Sequence, residues 1–495
     1  MISERSPARP PMAWAPVAAV AAAVAVLLAA TSNGYGYHRD ELYFRLLGDH
    51  PAWGYVDQPP ATPLLARATA EIAGDHLWAL RLPGALALAV TVVLTAMLAR
   101  EFGGGRGAQL LAAAGAGGAF PLTFGHVLLT ATLDLPMTAA VLLCVVKALR
   151  ADPRWWLGAG ALTGLALYNK HLVTLTLIAI GAGLAIVGPR RVLWSRWLWS
   201  GVALAALVGL PNLVYQIAHD WPQLTMARAI EQDKGADSRT LFLPLQLALL
   251  GFFLVPVWVA GLVRLLRDPA LRTVRALAVA YPAVCVLILV TGGQPYYDLG
   301  LVLALFAAGA EPAVRWLTAR RRRRWAFAGA FALNLAISAV VALPLLPVGT
   351  LGRTPIGDIS QATSDQVGWP VYVGQVAGVV DTLPAAERAR TAIITANYGE
   401  AGALELLGGR HDLPPIHSGQ NELWFRGGPA EGTSTIIAVG YFPQRLAGDF
   451  ASCAVARELD NGVAVPNEEQ GLPVTVCRGP EGTWADLWPR FLHYS

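Results

Sequence analysis

The stretch AWAPVAAVAAAVAVLLAATSNGYGYHRDELYF, residues 13–44, changes character after Thr31. Up to that point it offers 19 consecutive residues without a charge, enough to cross about 30 Å of hydrocarbon as one helix. The apolar core of a cleavable secretion signal is shorter, about 7 to 15 residues. The run is therefore expected to remain as a first span, with Arg5 and Arg9 before it in the cytoplasm. Immediately after it comes a cluster of charge, Arg39, Asp40 and Glu41, at the interface where burial and neighbours tune a carboxylate into a base.

The rest of the chain repeats the first half of that pattern. Of 495 residues 55% are hydrophobic and only 14% are charged, against roughly 25% charged in soluble domains. Further apolar blocks lie at about 80–99, 107–124, 131–149, 155–169, 172–188, 197–217, 243–263, 274–291, 298–317 and 325–347, making eleven with the first. Blocks of this length exclude a soluble enzyme, a disordered scaffold and an outer-membrane barrel, whose strands alternate over about 10 residues. The reading is an α-helical polytopic membrane protein with about eleven transmembrane helices.

Charge divides the chain in two. Residues 1–347 carry 28 Lys and Arg against 17 Asp and Glu, whereas 348–495 carry 9 against 16. The first part is expected to be the membrane domain, with a long first outer loop at 33–80, and the second a soluble α/β domain outside the cytoplasm. Strand-like runs occur at Thr391–Thr395, Ser434–Gly440 and Pro473–Cys477, and helix-like stretches at Glu400–Leu407 and Arg445–Glu458. Asn397, Tyr398, Glu400, Asn421 and Trp424 fall near the predicted strand ends, where α/β folds bind ligands, although turn and cap residues have the same composition. Cys144 and Cys285 lie in apolar blocks. Cys453 and Cys477 lie in the tail, where an oxidising exterior would let them pair, but spacing does not decide it.

The residues with chemical potential gather in the loops assigned to the outer face. The loop GYGYHRDELYFRLLGDHPAWGYVDQPPATPLLAR, residues 34–67, holds Asp40, Glu41 and Asp57, the last just before two stiffening prolines. Asp134 stands at the outer end of the fourth block, Lys170 and His171 in the short turn after the fifth, and Gln294, Tyr296 and Tyr297 in the turn before the tenth. A lysine there can meet a phosphate as a point charge. Each group also has a plain reading as helix cap, snorkelling cation or interfacial aromatic. No zinc spacing, phosphate loop or dinucleotide fingerprint occurs, and the five arginines 320–324 read as a topology anchor.

RDELYF at 39–44, GYVDQPP at 54–60, Asp134 followed by Pro136, Lys170 after the fifth block and the Tyr296–Tyr297 turn together resemble the C-type glycosyltransferase superfamily (GT-C). Within it they resemble glycosyltransferase family 39, the dolichyl- or polyprenyl-phosphate-mannose protein mannosyltransferases and their bacterial relatives that add sugars to lipid A. NYGEAGAL, SGQNELWF and LWPRFLHYS in the tail resemble a bacterial subgroup. The resemblance implies inverting transfer of a sugar from a polyprenyl-phosphate donor to an acceptor hydroxyl on a glycan, lipid or protein. It implies Asp40 as general base with Glu41 beside it, Asp57 as a second acidic position, and Lys170 as a cation near the donor phosphate. His171 and Arg39 are the next candidate cations for that phosphate, and Asp134, Gln294, Tyr296 and Tyr297, from their places on the same face, are candidates to line the substrate. Gln58 stands where the family often has His. Gln294 and Pro295 replace a Lys or His, so the late turn is not expected to supply a phosphate-binding charge. No cofactor is implied; a divalent metal is left open, since acidic pairs bind one but no dedicated ligand spacing is present.

Two other classes share some of these features. A transporter or flippase also has many spans, but usually with internal repeats and broken helices at mid-membrane, and no repeat is visible here. A non-catalytic envelope-assembly protein would use the tail alone. Richness in Ala, Gly and Arg points to a GC-rich bacterial genome and so to the plasma membrane, and no nucleic-acid partner is expected. With the N-terminus inside, the loops assigned to the cytoplasm hold 20 Lys and Arg and the opposite loops 8, the asymmetry that orients membrane proteins. A reporter active only outside the cytoplasm is accordingly expected to be active when fused after Ser495 and silent when fused after Arg324. The reverse pattern would overturn the eleven-span reading.

Overall fold

The computed structural model describes residues 9–494, so Arg5 lies outside the described residues. Every apolar block is helical, because hydrocarbon offers no partner to backbone N–H and C=O groups and a helix satisfies them internally. Five helices among the described residues are long and apolar enough to cross a membrane: Trp14–Thr31, Leu77–Glu101, Thr130–Arg150, Leu299–Thr318 and Arg321–Ala342. Two bent pairs raise the number to seven, Arg196–Val208 with Leu210–Ala218, bent by 59°, and Pro222–Ala248 with Phe252–Arg267, bent by 64°. The remaining four blocks fold as shorter helices, among them Trp155–Ala166, Leu172–Val187 and Ala276–Thr291. The eleven-span count rests on block length, and these four fall short of the roughly 20 residues a full crossing needs.

The chain forms two compact units. The first contains the described residues through Ser32, Gln58–Ala61 and Arg81–Ala342. Its helices approach closely through small residues, the usual device where lipid removes any hydrophobic drive for helices to associate. A Cβ on Gly261 would lie 1.8 Å from the Leu305 carbonyl oxygen, and one on Gly309 would lie 1.8 Å from that of Val257. Helices Val255–Arg267 and Leu299–Thr318 thus touch backbone to backbone.

The second unit contains Asn33–Asp57, Thr62–Leu80 and the described residues from Leu343 onward. Sequence reading places a single boundary near Pro347; here the first outer loop instead folds with the tail. Its helix Arg39–Asp49 buries Leu42 in the same core as Trp369, Tyr372, Ile393, Leu404 and Val474. The tail carries a mixed five-stranded sheet of order β2-β1-β3-β5-β4: β1 Thr391–Thr395, β2 Ile416–Ser418, β3 Thr435–Val439, β4 Phe450–Glu458 and β5 Pro473–Pro480. β1 pairs in parallel with β2 and β3, and β5 runs antiparallel to β3 and β4. β1 and β3 are buried along their whole length, which explains their continuous apolar runs.

Most of the helix expected at Arg445–Glu458 is strand β4. Its Ala, Arg and Glu content favours helix locally, but Cys453 lies opposite Cys477 in the β4–β5 ladder and the two form a disulfide. Tertiary pairing there overrides propensity.

Candidate functional site

In the second unit the acidic residues of the first outer loop lie among residues of the tail. Helix Arg39–Asp49 starts at His38, whose Nδ1 accepts from the Asp40 N–H at 3.1 Å, while the Glu41 carboxylate accepts from the His38 N–H at 2.8 Å. This is a capping box, and it commits Glu41, fully buried, to holding the helix start. Asp40, one position earlier, is half-buried and projects its carboxylate toward the tail, where Oδ1 accepts a hydrogen bond from the Tyr398 hydroxyl at 2.8 Å.

Tyr398 is held by two neighbours. Tyr43 stacks on it with ring centroids 4.4 Å apart, and the Arg39 guanidinium lies 5.0 Å from its centroid. Arg39, proposed from sequence as a phosphate ligand, is buried and ion-paired to Glu468, with Asp365 4.0 Å away. Its charge is thus already met by carboxylates. Helices Arg39–Asp49 and Tyr398–Leu407 meet across glycines: a Cβ on Gly399 would lie 2.9 Å from Arg39 Cβ, and one on Gly402 would lie 2.7 Å from Leu42 Cβ.

Asp57 forms a second acidic centre. Its Oδ2 lies 3.5 Å from the Asn421 amide nitrogen, and its buried Oδ1 has no hydrogen-bond partner among the described residues. Glu422 stands beside it, its carboxylate accepting from the Val56 N–H at 2.8 Å. Burial, and then the negative charge of Glu422, push the Asp57 carboxyl up to about 7, with the Tyr43 hydrogen bond working the other way. Asn421 itself adopts a left-handed backbone, φ 51°, which asparagine tolerates better than most residues.

Of the other tail candidates, Asn397 caps helix Tyr398–Leu407 in a box with Glu400. Trp424 exchanges hydrogen bonds with Trp488, each indole N–H donating to the other's carbonyl at 3.0 and 3.1 Å. Those three are framework. Tyr398 and Asn421 face the carboxylates. Glu422 as the neighbour of Asp57 was missed from sequence: 365 positions separate the two, and no local pattern marks the pairing.

In the first unit Lys170, Asp134, Tyr296 and Tyr297 come together. Lys170 Nζ lies 4.9 Å from the Tyr297 ring centroid and 5.6 Å from that of Tyr296, a cation held over aromatic faces. Asp134, on helix Thr130–Arg150, interacts electrostatically with Lys170, and its buried Oδ1 has no hydrogen-bond partner among the described residues. Asp134, Thr138, Tyr296 and Tyr297 line a common cleft. His171 is turned to Asn212, with Nε2 and Oδ1 at 2.8 Å. Gln294 contributes its backbone carbonyl, which accepts from the Tyr297 N–H at 3.1 Å and closes the turn. The turn is also clamped by Gln246, which donates to the Pro295 carbonyl at 2.7 Å and to Asp298 at 3.3 Å, a bracket absent from the sequence reading. Among the described residues no group of three or more His, Cys, Asp or Glu is arranged to hold a metal ion.

The fold also occurs in known proteins. The chain superposes on ArnT from Cupriavidus metallidurans bound to undecaprenyl phosphate with a TM-score of 0.62 and 17% identity, over 94% of this chain and 99% of that one. The chain has the fold of the C-type glycosyltransferases. ArnT in the apo state superposes with a TM-score of 0.57 and 16% identity. The mycobacterial arabinofuranosyltransferase AftD matches with a TM-score of 0.52 and 15% identity, over 96% of this chain and 42% of that one. In sequence, residues 57–215 match the family described as dolichyl-phosphate-mannose-protein mannosyltransferase. No curated protein matches. Within this C-type glycosyltransferase fold, the matched segment carries Asp57, Asp134, Lys170 and His171.

The raised value at Asp57 gives a measurable sign. The folded state holds that proton more tightly than the unfolded chain, whose carboxyl keeps the ordinary 3.8. The stabilisation is therefore complete below 3.8 and is lost as pH rises to about 7. Asp57→Asn cannot ionise, so between these limits the unfolding temperature of the wild type should fall relative to that of the variant. Parallel curves would show that Asp57 ionises normally.

Proposed function

We propose that this protein is an inverting glycosyltransferase that moves a sugar from a polyprenyl-phosphate donor to an acceptor hydroxyl at the outer face of a bacterial plasma membrane. The observation that carries the reading is the likeness over nearly the whole of both chains to ArnT, solved with undecaprenyl phosphate bound. The match to the dolichyl-phosphate-mannose mannosyltransferase family supports the same donor class.

Each proposed role follows from the residue's surroundings within its own unit. The acceptor hydroxyl attacks the anomeric carbon and Asp40 takes its proton, so the new glycosidic bond forms as the bond to the phosphate oxygen breaks. The leaving phosphate departs as an anion that needs no proton at neutral pH. It needs its charge stabilised, and Lys170, presented over two tyrosines, is suited to this as a point charge. A polyprenyl chain must stay in lipid, so its phosphate is met at the interface, where Lys170 stands in a short turn between apolar helices. Asp57, pushed up to about 7, is partly protonated at neutral pH and can hold the acceptor hydroxyl as donor or acceptor. Asp134, whose Oδ1 has no partner among the described residues and which lines the cleft, is suited to bind a sugar hydroxyl. Arg39 and Glu41, already engaged in ion pairs and capping, act through the framework in this scheme.

Asp40→Asn is expected to lower transfer about 100-fold or more while leaving the fold intact, because it removes a proton acceptor and keeps the shape. Activity within threefold of wild type would remove Asp40 from the mechanism. The donor is the polyprenyl-phosphate sugar fraction extracted from the protein's own membranes. Lys170→Gln should weaken the dependence of rate on this donor markedly, and Lys170→Arg should fall between, since a charge-assisted hydrogen bond is worth roughly twice a neutral one. An unchanged donor dependence in Lys170→Gln would return this residue to interfacial anchoring.

A further inference from the structure

The phenol of Tyr398 is set against the carboxylate that the proposed reaction uses as base, and it comes from the far end of the chain. Tyr398 is the first residue of helix Tyr398–Leu407, fixed by the Asn397 cap, and its backbone N–H donates to the Gln420 side chain at 2.8 Å. Its ring is held by Tyr43, 4.4 Å away and inclined by 25°, and by the guanidinium of Arg39. Arg39 is in turn pinned by Glu468 and Asp365. Such a phenol has little freedom to turn, so the direction of its O–H is set by the fold. That O–H donates to Asp40 Oδ1 at 2.8 Å. Oδ2 of the same carboxylate makes no hydrogen bond among the described residues.

Building on the reading of Asp40 as the general base, we propose that Tyr398 is a positioning residue of the transfer reaction, its hydroxyl holding one oxygen of Asp40 so that the other is presented to the acceptor. The tail is then part of the catalytic apparatus. The hydrogen bond removes rotamer freedom from the base, which a reaction needing near-attack geometry rewards in turnover more than in substrate affinity. Around Asp40 the other charged or titratable groups are Arg39 and Glu41 on its own helix, His38 at its cap, and Asp57 and Asp365 from neighbouring segments.

The test is Tyr398→Phe in the full chain in detergent, which keeps the ring and its stacking. With the membrane-extracted polyprenyl-phosphate sugar as donor, kcat is expected to fall about tenfold with the donor KM unchanged. The unfolding temperature of Tyr398→Phe in detergent is expected to stay close to that of the wild type, so that the loss of turnover reads positioning and not stability. Wild-type kcat in Tyr398→Phe, together with an inactive Asp40→Asn, would overturn the positioning role alone. Full activity in Asp40→Asn would instead overturn the role of Asp40 as base and this proposal with it.

Discussion

Peptide groups left unbonded in hydrocarbon cost several kcal/mol each, and that constraint organises the rest of this chain. It makes each apolar block a helix and strips the blocks of most charge. It also leaves the polar chemistry to helix ends, short turns and the segments folded into the second unit. The exceptions prove informative. Asp134 and Asp298 are acidic groups at the ends of apolar helices, and each lies beside the Tyr296–Tyr297 turn, one facing the cleft and the other bracing the turn through Gln246.

Four of the carboxylates of the first outer loop and its surroundings differ in what they are free to do. Glu41 is bound into a helix cap; Asp365 sits near Arg39 in a buried ionic cluster, where burial raises its carboxyl well above the usual range. Asp57 is buried beside another acid, and Asp40 is half-exposed with one oxygen fixed. Similar side chains acquire separate roles from their surroundings, which is how one site can hold both a base and a proton-bearing partner.

Much of this was legible in the sequence where the signal is periodic or local. Block length and low charge give the helices, and the continuous runs TAIIT and STIIAVG give two buried strands. The grouping of Lys170 with Asp134 and the two tyrosines was also anticipated, since each stands at the same end of its helix. What remained hidden is non-local. Nothing near Asp40 announces Tyr398, 358 positions away, and nothing in FASCAVARE reveals that a disulfide and an antiparallel partner will make it a strand. Arg39 looked like a free cation because its partners Glu468 and Asp365 lie more than 300 residues on.

The second unit is assembled from segments at opposite ends of the chain, and this bears on how the protein is made. Helix Arg39–Asp49 leaves the ribosome early, with Leu42 and Arg39 lacking the tail residues that bury and pair them. Until synthesis passes Glu468, that helix has no finished core to join, and its closure is a contact of very high sequence separation, the slow kind. The nascent protein must therefore carry an exposed, half-built acidic loop through the insertion of every later helix. Truncations anywhere in the tail would leave the same loop stranded, so loss of the last strands should be felt first at the beginning of the chain.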